Sequence, residues 1–161
     1  MMNEKEILAL LYVKNSGKFG TLQTIGVSVN YDLETLKKEE VQNDLICIAT
    51  IAGSKIRKTS VVSSNTPFPH GFVDLFFEND VLVRYSFTAT KAKEYKDWRL
   101  YLTDAESYFR EGNDTLEILV AKPESKPDVY SVQDFAKETE QMEVCSSDKA
   151  ELANVVEKLL K

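Results

Sequence analysis

The amino-acid sequence predicts an α+β fold: a mainly antiparallel sheet of five to seven strands, a few helices, and an amphipathic C-terminal helix. Three observations predict it. Residues 72–87 read as two strands around a polar turn, with Val73, Leu75 and Phe77 alternating against Phe72, Asp74 and Phe76. Short apolar runs elsewhere are separated by Gly, Pro, Asn and Ser clusters, the punctuation of strands and turns. Residues 148–161 place Leu152, Val155, Val156 and Leu159 on one stripe of a helix. Because both sides of the 72–77 run are apolar, that strand is expected to be covered on both faces.

The elements follow in order. Asn3 can cap a helix, with Glu6 three residues on to close a capping box. Ile7 to Val13 continues it and Asn15-Ser16-Gly17 ends it; a strand is the competing reading, because so short an apolar run does not decide by period. Thr21 to Val29 alternates and reads as a strand. Asp32 caps a helix from Leu33 to Val41, with Lys37, Lys38, Glu39 and Glu40 outward. Leu45 to Ala52 is a continuous apolar run of strand length, read as a buried strand. Gly53-Ser54 then turns it in a type II′ hairpin. Lys55 to Val62 returns as an edge strand, guarded by Lys55, Arg57 and Lys58.

Asn65 to Gly71 is a loop stiffened by two prolines. In the hairpin beyond it, a two-residue turn at Asn79-Asp80 sets Asp74 opposite Tyr85. Lys91 to Asp97 is charged and expected on the surface, and Trp98 to Leu102 resumes a strand. Thr103-Asp104-Ala105-Glu106 has the form of a capping box and opens a short helix with Ala105, Tyr108 and Phe109 on one stripe. Leu116 to Ala121 is a further strand. Residues 1–121 are therefore read as the globular core, 122–147 as a linker or extended segment, and 148–161 as the C-terminal helix.

Composition narrows the function. A chain of 161 residues with 43% hydrophobic and 29% charged side chains suits one ordinary soluble domain. The net charge of −6 provides no global basic field for nucleic acid. Cys47 sits in an apolar run and Cys145 follows a polar one. Glu4 and Glu6, rather than basic residues, precede the first apolar run, so a reduced cytoplasmic compartment is expected. No apolar run approaches the ~20 residues of a membrane span.

Catalytic motifs are missing. His70 is the only histidine, which removes His-His metal sites and relay chemistry. The chain contains no Gly-x-Ser-x-Gly, no phosphate-cradling loop and no Gly-x-Gly-x-x-Gly dinucleotide turn. Asp97 and Asp104 flank the Trp98–Leu102 segment as a carboxylate pair would, but among 26 acids such pairs arise by chance. The expectation is a protein that is not an enzyme and uses neither cofactor nor metal.

Binding is the expected activity: a small regulatory, adaptor or inhibitor protein, of the kind viruses and phages also encode, acting on a protein partner. Leu152, Val156 and Leu159 of the terminal helix are the candidate partner-binding residues. The alternative is a nucleic-acid-binding regulator. Residues 5–58 can be laid on a winged-helix plan, and Leu33-Glu34-Thr35-Leu36-Lys37-Lys38 resembles the start of a recognition helix in that family. The resemblance implies Lys37, Lys38, Lys55, Arg57 and Lys58 as candidate nucleic-acid contacts. A second mixed patch holds Lys91, Lys93, Lys96 and Arg99 with Tyr95, Trp98 and Tyr101. Residues 54–62 and 65–68 also resemble C2 domains in their strand pattern, without that family's acidic calcium clusters.

Overall fold

Asn3 does cap the first helix, α1 (Glu4–Asn15): its side chain accepts from the Glu6 amide, and Glu6 accepts from the Asn3 amide. This capping box settles residues 7–13 as helix. The computed structural model describes residues 2–120, 126–137 and 143–161. After α1 come β1 (Leu22–Asp32), α2 (Lys38–Ala52), β2 (Ile56–Ser64), β3 (His70–Phe77), β4 (Leu82–Thr90) and β5 (Tyr95–Leu102). Then follow β6 (Ala105–Arg110), β7 (Thr115–Val120), β8 (Asp128–Ser131), α3 (Val132–Phe135) and α4 (Ser146–Leu159).

The strands form one eight-stranded sheet in the order β2-β3-β4-β1-β5-β6-β7-β8. Seven neighbouring pairs hold it together, and only β1 with β4 is parallel. The fold is thus α+β with a mixed sheet, larger than the five to seven strands expected. β2 is an edge strand, as Arg57 and Lys58 suggest. The helices lie on one face, with α4 against α2, β2 and β3, and α1 against α2 and α3. Between the layers Ile25, Val27, Val29, Val73, Leu75, Phe77, Tyr85, Phe87, Trp98, Leu100 and Phe109 from the sheet meet Val41, Leu45, Ile48, Leu152, Val155 and Leu159 from the helices.

Several expectations are corrected. The segment from Asp32 to Val41 is not a helix, and Leu45 to Ala52 is not a strand. α2 spans Lys38–Ala52, and Gly53 is its left-handed C-cap (φ 69°), not a hairpin turn. Val41, Leu45, Ile48, Ala49 and Ala52 are spaced as one helical face, and Ile51 is buried too. The run is nearly continuous because α2 is packed by the sheet, α1 and α4. With a strand in place of a turn at Gly26–Val29 and α2 starting at Lys38, the winged-helix plan fails.

The capping box at Thr103 does not open a helix. Thr103 Oγ1 instead accepts from the Thr21 amide across the sheet, and Ala105, Ser107 and Phe109 point inward with a period of two. In the β3–β4 hairpin the Phe77 amide donates to Val81 O, and Asp80 adopts φ 67°. That is a three-residue loop ending in a left-handed residue. It shifts the register by one, so Asp74 faces Arg84, not Tyr85.

The double cover expected for β3 is also corrected. Val73, Leu75 and Phe77 are buried under the helices, while Phe72, Asp74 and Phe76 lie on a face that carries no helix. Their partial cover comes from long cationic side chains: Arg84 lies over the Phe72 ring at 4.1 Å, and Lys58 over Phe76 at 5.7 Å.

Residues 128–131 pair with β7, and α3 follows directly. Residues 121–125 and 138–142, within the expected linker, lie outside the described residues. Leu152, Val156 and Leu159 are all buried within the chain. Asp148 accepts from the Ile56 amide and Glu151 from Thr59, which fastens α4 to β2.

Candidate functional site

A buried carboxylate marks the site. Asp44 sits on the sheet-facing side of α2, one residue before Leu45, and is only 3% exposed. β1, β4 and β5 lie side by side beneath it, and each supplies one donor. Tyr31 OH donates to Asp44 Oδ2 at 2.5 Å, Tyr85 OH to the same oxygen at 2.7 Å, and Lys96 Nζ to Oδ1 at 3.0 Å. The Lys96 ammonium also stands 4.7 Å from the Tyr31 ring centroid. Three donors on one carboxylate meet the requirement that a buried charge be paired and hydrogen-bonded.

The surroundings hold the protons in place. Burial, reinforced by the negative charge of Asp44, raises both phenols above the ordinary tyrosine value, so Tyr31 and Tyr85 remain donors at neutral pH. Cys47, one turn further along α2, is pushed up to about 11 by burial and then by Asp44. It is a protonated thiol and not a nucleophile.

Lys96 also lines a hollow of about 340 Å³ with Glu6, Glu94, Tyr95, Glu111 and Gly112. Glu6 braces its floor, accepting from the Asn3 amide at 2.8 Å and the Gly112 amide at 3.0 Å. Glu111 accepts from Trp98 Nε1 at 3.2 Å, and burial raises its carboxyl above the usual range despite the opposing pull of Lys96. Lys96 and the carboxylates Glu6, Glu94 and Glu111 thus line one hollow, and Glu111 holds its proton more tightly than a surface acid. Such a pairing can donate to and accept from the same hydroxyl group, and can hold a proton beside it.

The residues singled out from sequence are not gathered here. Lys38 pairs with Glu157, Arg57 with Asp80, and Lys58 covers Phe76, while Lys37 precedes α2. Lys37 and Lys38 stand at the start of α2, and Arg57 and Lys58 on the edge strand β2. The Lys91–Tyr101 patch is split by the strand itself: Lys96 and Trp98 lie under the helices, Arg99 and Tyr101 on the other face. Asp97 is tied to Arg110 and Tyr108, and His70 is exposed with Nδ1 2.8 Å from Phe68 O.

Tyr31, Asp44, Tyr85 and Glu111 escaped the sequence reading, and Lys96 was placed on the surface. The available signal was Asp44 itself, an acid inside the helical spacing Val41, Leu45, Ile48. It becomes visible only once that run is read as helix. Among the described residues no cluster of His, Cys, Asp and Glu could hold a metal ion, and no helix is long and apolar enough to cross a membrane.

The architecture recurs in solved oxidoreductases. An inositol dehydrogenase homolog from Azotobacter vinelandii, complexed with NADH and myo-inositol, matches with a TM-score of 0.64 at 7% identity, over 80% of this chain and 40% of that one. A levoglucosan dehydrogenase, in complex with NADH and levoglucosan, matches at 0.67 and 12%, over 97% and 60%. The super-repressor mutant of Gal80p from Saccharomyces cerevisiae matches at 0.68 and 12%, over 96% and 59%. No family model and no curated protein matches the sequence.

At such identities the likeness defines the fold, and the chain spans about half the length of the structures it matches. The finding overturns the expectation of a small non-enzymatic binding protein of viral or phage type, and with it the winged-helix alternative. The fold is one that dehydrogenases use.

Two of these structures hold NADH, and the residues of this chain do not fit that group. The connection from β1 to α2, residues 33–37, contains no glycine, and no glycine-rich phosphate turn follows any strand among the described residues.

Proposed function

We propose that this chain is the substrate-side portion of an oxidoreductase, with the hollow beside Lys96 receiving a small polyhydroxylated compound. The observation that carries the reading is the coincidence of two features. The fold recurs in dehydrogenases over nearly the whole chain, and the charged cluster built into it opens onto a hollow. Polyols and sugars are the compounds held by the inositol and levoglucosan dehydrogenases, which supports that substrate class.

In this reading Lys96 donates to a substrate hydroxyl. Asp44, itself held by Tyr31 and Tyr85, fixes the ammonium in position, and Glu111 holds or accepts the hydroxyl proton. A nicotinamide cofactor would be carried by protein outside these 161 residues. The 1–121 portion then carries seven of the eight strands, the 122–147 portion contributes the edge strand β8, and 148–161 belongs to the helix that closes the helical layer. The start of α4 at Ser146 supports the last boundary.

Chemical-shift mapping tests the site. The 161-residue chain, titrated with myo-inositol and with levoglucosan, should show shifts at Tyr95, Lys96, Glu111 and Gly112. Shifts confined to other surfaces, or none with either compound, would remove the site from consideration. A regulatory role with a protein partner is the second reading, supported by the likeness to Gal80p. It predicts that occupancy of the same hollow alters capture of that partner.

A further inference from the structure

The hollow beside Lys96 has a neighbour. A second hollow of about 460 Å³ adjoins it, and Asn3, Glu6 and Gly112 line both. This second hollow lies between the start of α1, the turn from β6 to β7 and the start of α3. Lys5, Asn113, Asp114, Ser131 and Gln133 complete its lining.

Its walls are fixed within the chain. The Gly112 amide donates to Glu6 Oε2 at 3.0 Å, which ties α1 to the turn, and the Val132 amide donates to Asp114 O at 2.8 Å, which ties α3 to it. A Cβ on Gly112 would meet no atom within 4 Å, so the space beside the turn is open. Ligand sites span about 300–1,000 Å³. The Lys96 hollow alone stands near the lower end of that range, and its neighbour more than doubles the space.

The lining selects the occupant. Asn113, Gln133 and Ser131 offer neutral donors and acceptors, which match the hydroxyls of a sugar ring. The carboxamides of Asn113 and Gln133 belong to exposed residues. Charge opposes a phosphate. Among the described residues of both hollows, Lys5 and Lys96 stand against Glu6, Glu94, Glu111 and Asp114, and no arginine is present. A nucleotide sugar would bring a diphosphate into that acidic setting without the guanidinium that phosphates favour.

We propose, on the substrate-side reading of the Lys96 hollow, that the compound received there is an uncharged glycoside of two sugar rings. One ring occupies the Lys96 hollow, and the second lies against Asn113 and Gln133 beyond the shared wall of Asn3, Glu6 and Gly112.

Titration of the 161-residue chain with myo-inositol, levoglucosan, sucrose, trehalose, cellobiose and UDP-glucose, read by chemical shifts and calorimetry, tests this. At least one disaccharide should bind roughly tenfold or more tightly than either single-ring compound. It should also move the side-chain amide resonances of Asn113 and Gln133, which the single rings leave in place. The double variant Asn113→Ala with Gln133→Ala should bind disaccharide and single ring alike, with unchanged far-UV circular dichroism. If a single ring moves Lys96 but no disaccharide binds more tightly or reaches Asn113 and Gln133, the two-ring assignment falls and the substrate-side reading stands. If no compound moves Lys96, both fall. A double variant that keeps the disaccharide's advantage, or UDP-glucose binding more tightly than every disaccharide, would also overturn the proposal.

Discussion

The ammonium of Lys96 lies 3.0 Å from Asp44 Oδ1, and their side chains are only 16% and 3% exposed. An ion pair so enclosed is justified energetically only when its remaining hydrogen-bonding capacity is filled. Tyr31 and Tyr85 fill it from the adjoining strands.

Removing the carboxylate should therefore cost more than removing the amine. Asp44→Ala strands an ammonium and two phenols, and its expected cost is about 3–5 kcal/mol. Lys96→Met leaves Asp44 with two phenolic donors, and the expected loss is about 1–3 kcal/mol. Urea unfolding of both variants and of the double variant measures the coupling. Equal single costs would contradict this arrangement.

The tyrosines should show themselves at alkaline pH. Burial and the Asp44 charge raise Tyr31 and Tyr85 above the ordinary value of 10.0. The folded state therefore keeps protons that the unfolded state has released. The stability they contribute is complete below pH 10 and declines as pH rises above it. Ultraviolet titration of the seven tyrosines should leave two phenols silent until the chain unfolds. Tyr85→Phe should flatten the alkaline decline, and an unchanged slope would argue against the buried phenol.

Acid should act elsewhere. The hydrogen bond from Arg110, aided by Tyr108, holds Asp97 below its ordinary value of 3.8. A depressed carboxyl stabilises the folded state above that value, and the contribution is lost as pH falls below it. Asp97→Asn should abolish this part of the acid sensitivity with little effect on the alkaline limb. Thermal unfolding against pH separates the two.

Cysteine chemistry distinguishes α2 from the start of α4. The Cys47 thiol, pushed up to about 11 by burial and by Asp44, should resist alkylation in the folded chain and react freely in urea. Mass spectrometry after brief iodoacetamide treatment reads this directly. Rapid modification of Cys47 in the folded state would show that α2 does not lie flat on the sheet.

The fold class, the capped first helix, the central hairpin and the lysine-guarded edge strand were legible because each depends on neighbours a few residues apart. α2 was not, because near-continuous apolarity from Leu45 to Ala52 erases the period that distinguishes helix from strand. Thr103–Glu106 has the residues of a helix start, but Thr103 accepts from the Thr21 amide just before β1 and Glu106 pairs with Arg99 of β5. The site depended on the same error: Asp44 gains meaning only when Tyr31, Tyr85 and Lys96 arrive from strands 13 to 52 residues away. Lys96 looks like a surface charge in the sequence because strand parity, set by Trp98 and Leu100, decides which side it occupies.

Calorimetric titration of the unmodified chain and of Lys96→Met with levoglucosan and myo-inositol tests the account most directly. The account predicts saturable binding of at least one compound, weakened roughly tenfold or more in a variant that still folds. Binding of equal strength in the two proteins, or no heat from either compound, would contradict it.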